Sequence, residues 1–333
     1  MSRYDVCAIG NALVDYEIEV DNQFLSDNSI EKGLMTLVDA DRQQKLVSQV
    51  ANKIRKKQGG GSAANSIVAL SQLGGKGYYS CKVANDEDGR FFLEDLHGLA
   101  IDTSLDGKVL PSGDTGRCLI MITDDAERTM NTALAITSDF STEELNPAAI
   151  ADAKYLFIEG YLASSLSGTE AAIHAKQLAE GNDTKVALTF SDPSMVLYFK
   201  DQMKSIVGSG LDLLFCNEEE AIAFTDTESI EEARERLKSL FKQFVITQGK
   251  NGAMIWDGET FVDIEPYPVQ AVDSTGAGDM FAGSFLYAIT NGHTWASAGR
   301  LASKSSSFVV GQYGPRLKKD ELLSIKNELI TSN

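Results

Sequence analysis

A chain of 333 residues, 43% of them hydrophobic, can bury a substantial core, and its length suits one large domain. The formal net charge of −18 argues against a surface that grips nucleic acid or anionic lipid by nonspecific attraction, so any polyanionic ligand has to be held by local devices. Four scattered cysteines (Cys7, Cys81, Cys118, Cys216) without a CxxC pair argue against a disulfide framework or a zinc site, and the lack of a long apolar run reads as cytoplasmic.

In chain order, Tyr4 to Ile9 is a short apolar run stopped by Gly10, the pattern of a buried strand feeding a turn. Tyr16 to Val20 alternates acidic and apolar residues and Leu34 to Val38 is also extended, which predicts strands with one wet face. Gln58-Gly59-Gly60-Gly61-Ser62 breaks the chain ahead of a helix over Ala63 to Leu73, with Ser62 or Asn65 near its start. Arg117 to Thr123 and Arg128 to Ile136, joined by Asp124-Asp125-Ala126-Glu127, read as a hairpin.

From Tyr155 on, short apolar strands (Tyr155–Ile158, Val186–Thr189, Leu213–Cys216, Phe244–Thr247) alternate with helical stretches such as Glu231–Phe241, the pattern of a parallel sheet covered by helices. Helices are expected at Asp279–Thr290, Thr294–Val310 and Lys319–Leu329. The amphipathic segments at about 12–39 and 108–137 fit poorly in a parallel core and are expected to form a small separate sheet inserted in a single domain, 1–333, as a lid over a site.

The chemistry concentrates in Ala271-Val272-Asp273-Ser274-Thr275-Gly276-Ala277-Gly278-Asp279, a glycine turn running into an apolar helix. Backbone N–H groups of Gly276, Ala277 and Gly278 can converge there, and the helix start adds its positive end, so phosphate charge is stabilised without lysine. Asp279 in the first turn would face the same point as a proton acceptor. Taken alone it would be an ordinary helix-start carboxylate. The glycine turn at 59–61 supplies a second site of the same kind, while the Gly-Lys-Ser/Thr phosphate loop and a GxGxxG after the first strand are absent, which disfavours a Walker-type ATPase and a Rossmann dehydrogenase.

Gly59-Gly60-Gly61-Ser62-Ala63-Ala64-Asn65 and the stretch from Asp273 to Phe285 resemble the two signatures of the ribokinase-like PfkB carbohydrate kinases. The resemblance implies an α/β, three-layer fold with a mostly parallel central sheet flanked by helices and a small β-strand lid. It also implies transfer of the γ-phosphoryl group of ATP, with Mg2+, to a hydroxyl, Asp279 acting as base. Asn217-Glu218-Glu219-Glu220 resembles the family's magnesium motif, so Asn217 and Glu220 would organise the ion through water; otherwise they are an acidic helix start. The turn Val245–Ala253 resembles the nucleotide side, which implies Thr247, Gly249 and Gly252 for ATP, joined by Asn217 and by Thr275, Gly276 and Gly278 of the second signature; the plain alternative for the turn is a hairpin.

Gly10-Asn11-Ala12-Leu13-Val14-Asp15 resembles the adenosine kinase branch. That implies Asp15 on ribose hydroxyls with Asn11, Asn65, Gly60 and Gly61 beside it, Tyr161 against the base, and Arg128 as a lid arginine approaching the phosphate; turn, core and surface roles are the alternatives for these residues. The acceptor implied is a nucleoside, adenosine at its 5′-hydroxyl first. A free sugar (ribose, fructose or 2-keto-3-deoxygluconate) and a noncatalytic nucleoside or sugar sensor are the competing readings. The resemblance further implies a K+ site between the Asp273 carbonyl and residues 307–311, and a monomer or a homodimer through the lid.

Overall fold

The structure is a computed structural model describing residues 2–33, 35–125 and 127–329; Leu34, in the extended run, and Ala126, in the expected hairpin turn, lie outside the described residues. A nine-stranded sheet runs in the order Phe261–Ile264, Ala253–Trp256, Phe241–Thr247, Leu211–Asn217, Lys185–Thr189, Ala153–Glu159, Tyr4–Ile9, Gly77–Ser80, Asp102–Thr103. All neighbours pair in parallel except the hairpin strands at the first-named edge. Parallel strands covered on both faces read as continuous apolar runs because each face needs its own core. In Ala153–Glu159, Tyr155 and Phe157 join the core beneath helices Ser62–Gln72 and Ala277–Thr290, while Leu156 and Ile158 join the core on the opposite face, with helix Leu166–Glu180. All four cysteines are buried and free.

The lid is a five-stranded sheet in the order Met35–Leu37, Arg128–Ala133, Gly116–Ile122, Leu13–Glu19, Ile54–Gly60. Gly116–Ile122 and Arg128–Ala133 form the expected antiparallel hairpin, which ends at Ala133 where a 3-10 turn, Ala135–Asp139, takes over. Ile54–Gly60 is an edge strand that runs into the break expected at Gln58–Ser62. It pairs antiparallel with Leu13–Glu19, Lys56 opposite Glu17 and Gln58 opposite Asp15, so backbone pairing with a neighbouring strand overrides the weak strand propensity of the segment. The lid's outer face is not open: helix Ala40–Val50 closes it over Ile18, Leu46, Val50, Leu119 and Met121.

Two helix boundaries also differ from expectation. The helix over Ile230–Leu237 stops before Phe241, which opens the next strand as a fully buried residue. The helix after the first glycine turn runs Ser62–Gln72, one residue ahead of the expected Ala63–Leu73, with Gly61 at its cap position and Ser62 at its start as expected. Gly283 explains how the two glycine turns meet. A Cβ there would stand 2.2 Å from the Ser66 carbonyl, so only glycine lets helix Ala277–Thr290 lie directly on helix Ser62–Gln72.

Candidate active site

A cavity of about 440 Å³ opens between the lid and the carboxyl ends of the parallel strands, where open α/β sheets bind their ligands. Asn11 follows the strand Tyr4–Ile9, and Glu159, Asn217 and Thr247 end theirs. Asp279 reaches the cavity from the third position of its helix, behind Gly276, whose φ of +76° no bulkier residue adopts easily. Ser62 donates to Asp279 Oδ1 at 2.6 Å and Asn65 Nδ2 donates to Oδ2 at 2.9 Å. Burial pushes the Asp279 carboxyl up to about 6, against the pull of the Ser62 and Asn65 hydrogen bonds and the nearby Arg316 cation. Such a group is ionised at neutral pH yet basic enough to take a proton.

The glycine turn is fixed by Asp273, whose carboxylate accepts from Thr275 N at 3.0 Å and Gly314 N at 3.0 Å. Gly276, Gly278 and Thr275 line the cavity. Ala277 does not, because its N–H turns back to the Ser274 carbonyl at 3.2 Å, so the expected trio of donors reduces to its two glycines. The Asp273 turn and residues 307–311 do adjoin, as a potassium site would require. The Val310 carbonyl, however, already accepts from both Val272 N and Asp273 N.

At the other glycine turn, Gly61 has φ +102°, and a Cβ there would lie 2.3 Å from the Asn11 carbonyl. Gly60 is likewise pressed by Asp15, 2.4 Å from where its Cβ would be. Asp15 lines the cavity from the lid strand, and burial pushes it up to about 7, with Arg316 opposing. Asn11 lines the cavity too, but its Nδ2 and N–H both donate to Glu159 Oε1, at 3.0 and 3.2 Å. Tyr161 lines it as well.

Asn217 and Glu220 form a reciprocal cap: Glu220 N donates to Asn217 Oδ1 at 2.8 Å, and Asn217 N donates to Glu220 Oε2 at 2.9 Å. The helix-start reading is therefore realised, and both side chains line the cavity as well. Burial pushes Glu220 up to about 7 even with Asn217 N–H donating to it, and Asp192 adds to the rise. No group of three or more His, Cys, Asp or Glu that could hold a metal directly occurs among the described residues. A buried carboxylate beside Asp192 and short of protein ligands fits a hydrated divalent cation that keeps its waters.

Gly249, Gly252 and Arg128, three of the expected site residues, lie outside the cavity lining. Gly249 and Gly252 shape the turn of the hairpin Phe241–Thr247 to Ala253–Trp256, where a Cβ on Gly252 would stand 2.0 Å from the Ile264 carbonyl. Arg128 is not a surface charge either. Its side chain is 9% exposed and its Nη1 donates to Asp273 Oδ2 at 2.6 Å, tying the lid to the glycine turn.

Two site residues were missed. Glu159, wholly buried, accepts from Ala63 N at 2.8 Å as well as from Asn11, and burial pushes it up to about 7. A carboxylate ending the apolar run Tyr155–Ile158 was its signal. Arg316 Nε donates to Asn65 Oδ1 at 2.8 Å, and nothing in its sequence surroundings announces this.

Residues 32–322 match the pfkB family carbohydrate kinases. The chain belongs to that family. This pfkB kinase is similar to a 5-dehydro-2-deoxygluconokinase from Halalkalibacterium halodurans, 28% identical over 82% of this chain and 87% of the relative. Two solved structures share its whole fold: a probable sugar kinase from Rhizobium etli (32% identity, TM-score 0.88) and an adenosine kinase from Sinorhizobium meliloti (32%, 0.87). Each alignment covers 98% of this chain and 99% of the other. The ribokinase-like α/β architecture stands, and the protein is a kinase, a phosphotransferase with an alcohol group as acceptor, rather than a noncatalytic sensor. Among the described residues no helix is long and apolar enough to cross a membrane.

Proposed function

We propose that this kinase transfers the γ-phosphoryl group of ATP to a nucleoside, with the 5′-hydroxyl of adenosine as the first candidate. The observation that carries this reading is the divided chemistry of the cavity. Asn11, Asn65 and Asp279 on the body, with Asp15 at the lid edge, offer partners for ribose hydroxyls. Leu37, Ile120, Met130 and Leu134 face them from the lid side, an apolar wall suited to the flat faces of a base. A free sugar, polar on every edge, would leave hydroxyls against that wall without partners.

In this reading the lid excludes water, and the acceptor hydroxyl donates to Asp279, which takes its proton as the oxygen attacks the γ-phosphorus. Asn65 and Ser62 hold the carboxylate in place, and the N–H groups at Gly276 and Gly278 and the helix start stabilise charge developing on the phosphoryl oxygens. Mg2+, organised through water by Asn217 and Glu220, supplies charge neutralisation on the phosphates when bound. Arg128 would need to leave Asp273 to approach the phosphate.

The test is MgATP turnover against adenosine, inosine, guanosine, ribose, fructose and 2-keto-3-deoxygluconate, with Asp279→Asn beside the unsubstituted protein. Adenosine-selective turnover and a loss in kcat of at least about a hundredfold in a folded Asp279→Asn are expected. Near-normal kcat in that variant removes the base assignment. The likeness to a 5-dehydro-2-deoxygluconokinase favours the second reading, a free-sugar acceptor, and turnover confined to the sugars would establish it in place of the nucleoside.

A further inference from the structure

The segment Gly314-Pro315-Arg316-Leu317 touches both glycine turns. Gly314 N donates to Asp273 Oδ2 at 3.0 Å, and Pro315 packs on Gly276 so closely that a Cβ there would meet it at 2.3 Å. On its other side, Arg316 Nε donates to Asn65 Oδ1 at 2.8 Å and Nη1 to Asp95 Oδ2 at 2.5 Å. The segment itself is pinned: Gln312 Nε2 donates to the Arg316 carbonyl at 3.0 Å, and Gln72 Nε2 to the Leu317 carbonyl at 3.2 Å. The Arg316 side chain is 10% exposed.

We infer that Arg316 is a positioning residue for phosphoryl transfer: it fixes the amide of Asn65 so that Nδ2, and not Oδ1, faces Asp279. The inference rests on the reading of Asp279 as the base. An amide has one accepting and one donating end, and the two are interchanged by a half-turn. A guanidinium only donates, so the end of Asn65 it holds has to be the oxygen, which leaves the NH2 for the carboxylate. Without Arg316 the amide can turn its oxygen on Asp279, where two acceptors repel. Arg316 also acts by charge. Asp15 from the lid strand, Glu159 from its strand end, Tyr79, Tyr161 and Arg316 all lie near enough to couple electrostatically with Asp279, and Arg316 is the cation of that set.

The experiment is a double-substitution cycle on the full chain with Arg316→Gln, Asn65→Ala and both together, measuring kcat, KM for MgATP and the acidic limb of kcat/KM, with Asp279→Asn alongside. Arg316→Gln is expected to lower kcat about tenfold, the effect of losing a hydrogen bond in a charged network, with KM for MgATP within about twofold. The acidic limb moves to higher pH, because losing the cation makes the carboxylate easier to protonate. The double variant is expected to lose little more kcat than the worse single one, since both substitutions break one contact. Multiplying losses, or a folded Arg316→Gln with unchanged kcat and limb, overturns the inference. Should Arg316→Gln fail to fold, Arg316→Lys decides. It keeps the charge but cannot fork between Asn65 and Asp95, so it should hold the limb and still lose kcat; undiminished kcat overturns the inference. Near-normal kcat in Asp279→Asn would instead sink the base reading itself, whatever Arg316 does.

Discussion

Asp15, Glu159, Glu220 and Asp279 share one cavity, and burial pushes each carboxyl upward, to about 7, 7, 7 and 6. The sign of the consequence follows from linkage. Between the ordinary carboxylate range and about pH 7 the folded protein holds more protons on these groups than the unfolded chain does, so its stability falls as pH rises through that window. The unliganded protein should therefore melt at a higher temperature at pH 5.5 than at pH 7.5. Asp15→Asn removes one of the four, so it should flatten that slope and raise Tm at pH 7.5 by about 2–4 °C. Calorimetry across the range checks it, and an unaltered slope in Asp15→Asn would mean that Asp15 is solvated in the empty site. What the sequence showed at this scale follows from distance along the chain. Asp279, Gly276 and Gly278 act within one turn, so residue types in order displayed them. Glu159 and Arg316 act on helix Ser62–Gln72 from 96 and 251 residues away, and only tertiary packing selects those partners.

At the scale of elements, strands with buried faces were legible because their composition records burial, as in Tyr4–Ile9, where expected and observed bounds coincide. Ile54–Gly60 was not, because Arg55-Lys56-Lys57-Gln58 shows no apolar alternation and becomes a strand only through its pairing with Leu13–Glu19. The same lid strands carry the tie to the body. Arg128 Nη1 lies 2.6 Å from Asp273 Oδ2, and Arg128 Nη2 is 3.7 Å from Glu17 Oε1, with all three side chains nearly buried. Removing one member of a buried ion pair leaves the other without its counter-charge. Arg128→Met should thus cost about 3 kcal/mol of stability, read from urea unfolding. A cost below about 0.5 kcal/mol for Arg128→Met would show the pair to be screened as a surface bridge is.

Across the whole molecule, the alternation of apolar strands and helices after Tyr155 announced a parallel sheet, and the amphipathic segments before Thr137 announced a separate lid. The strand order was not legible, since it depends on which helix crosses which face. That order gives the lid and the body different amounts of core. The lid's buried cluster is Ile18, Val20, Leu25, Leu46, Val50, Leu119 and Met121, whereas the body carries two far larger clusters on either side of its sheet. A unit with a small core of its own opens at lower free energy than the body it leans on. Amide hydrogen exchange should therefore be faster in Gly116–Ile122 and Arg128–Ala133 than in Ala153–Glu159 and Leu211–Asn217. Because the cavity is walled by lid and body together, MgATP with the accepted alcohol should slow exchange in the lid strands far more than in the body strands. Uniform slowing of both would mean that lid and body open as one unit, and closure would then have to come from the glycine turns rather than from the lid.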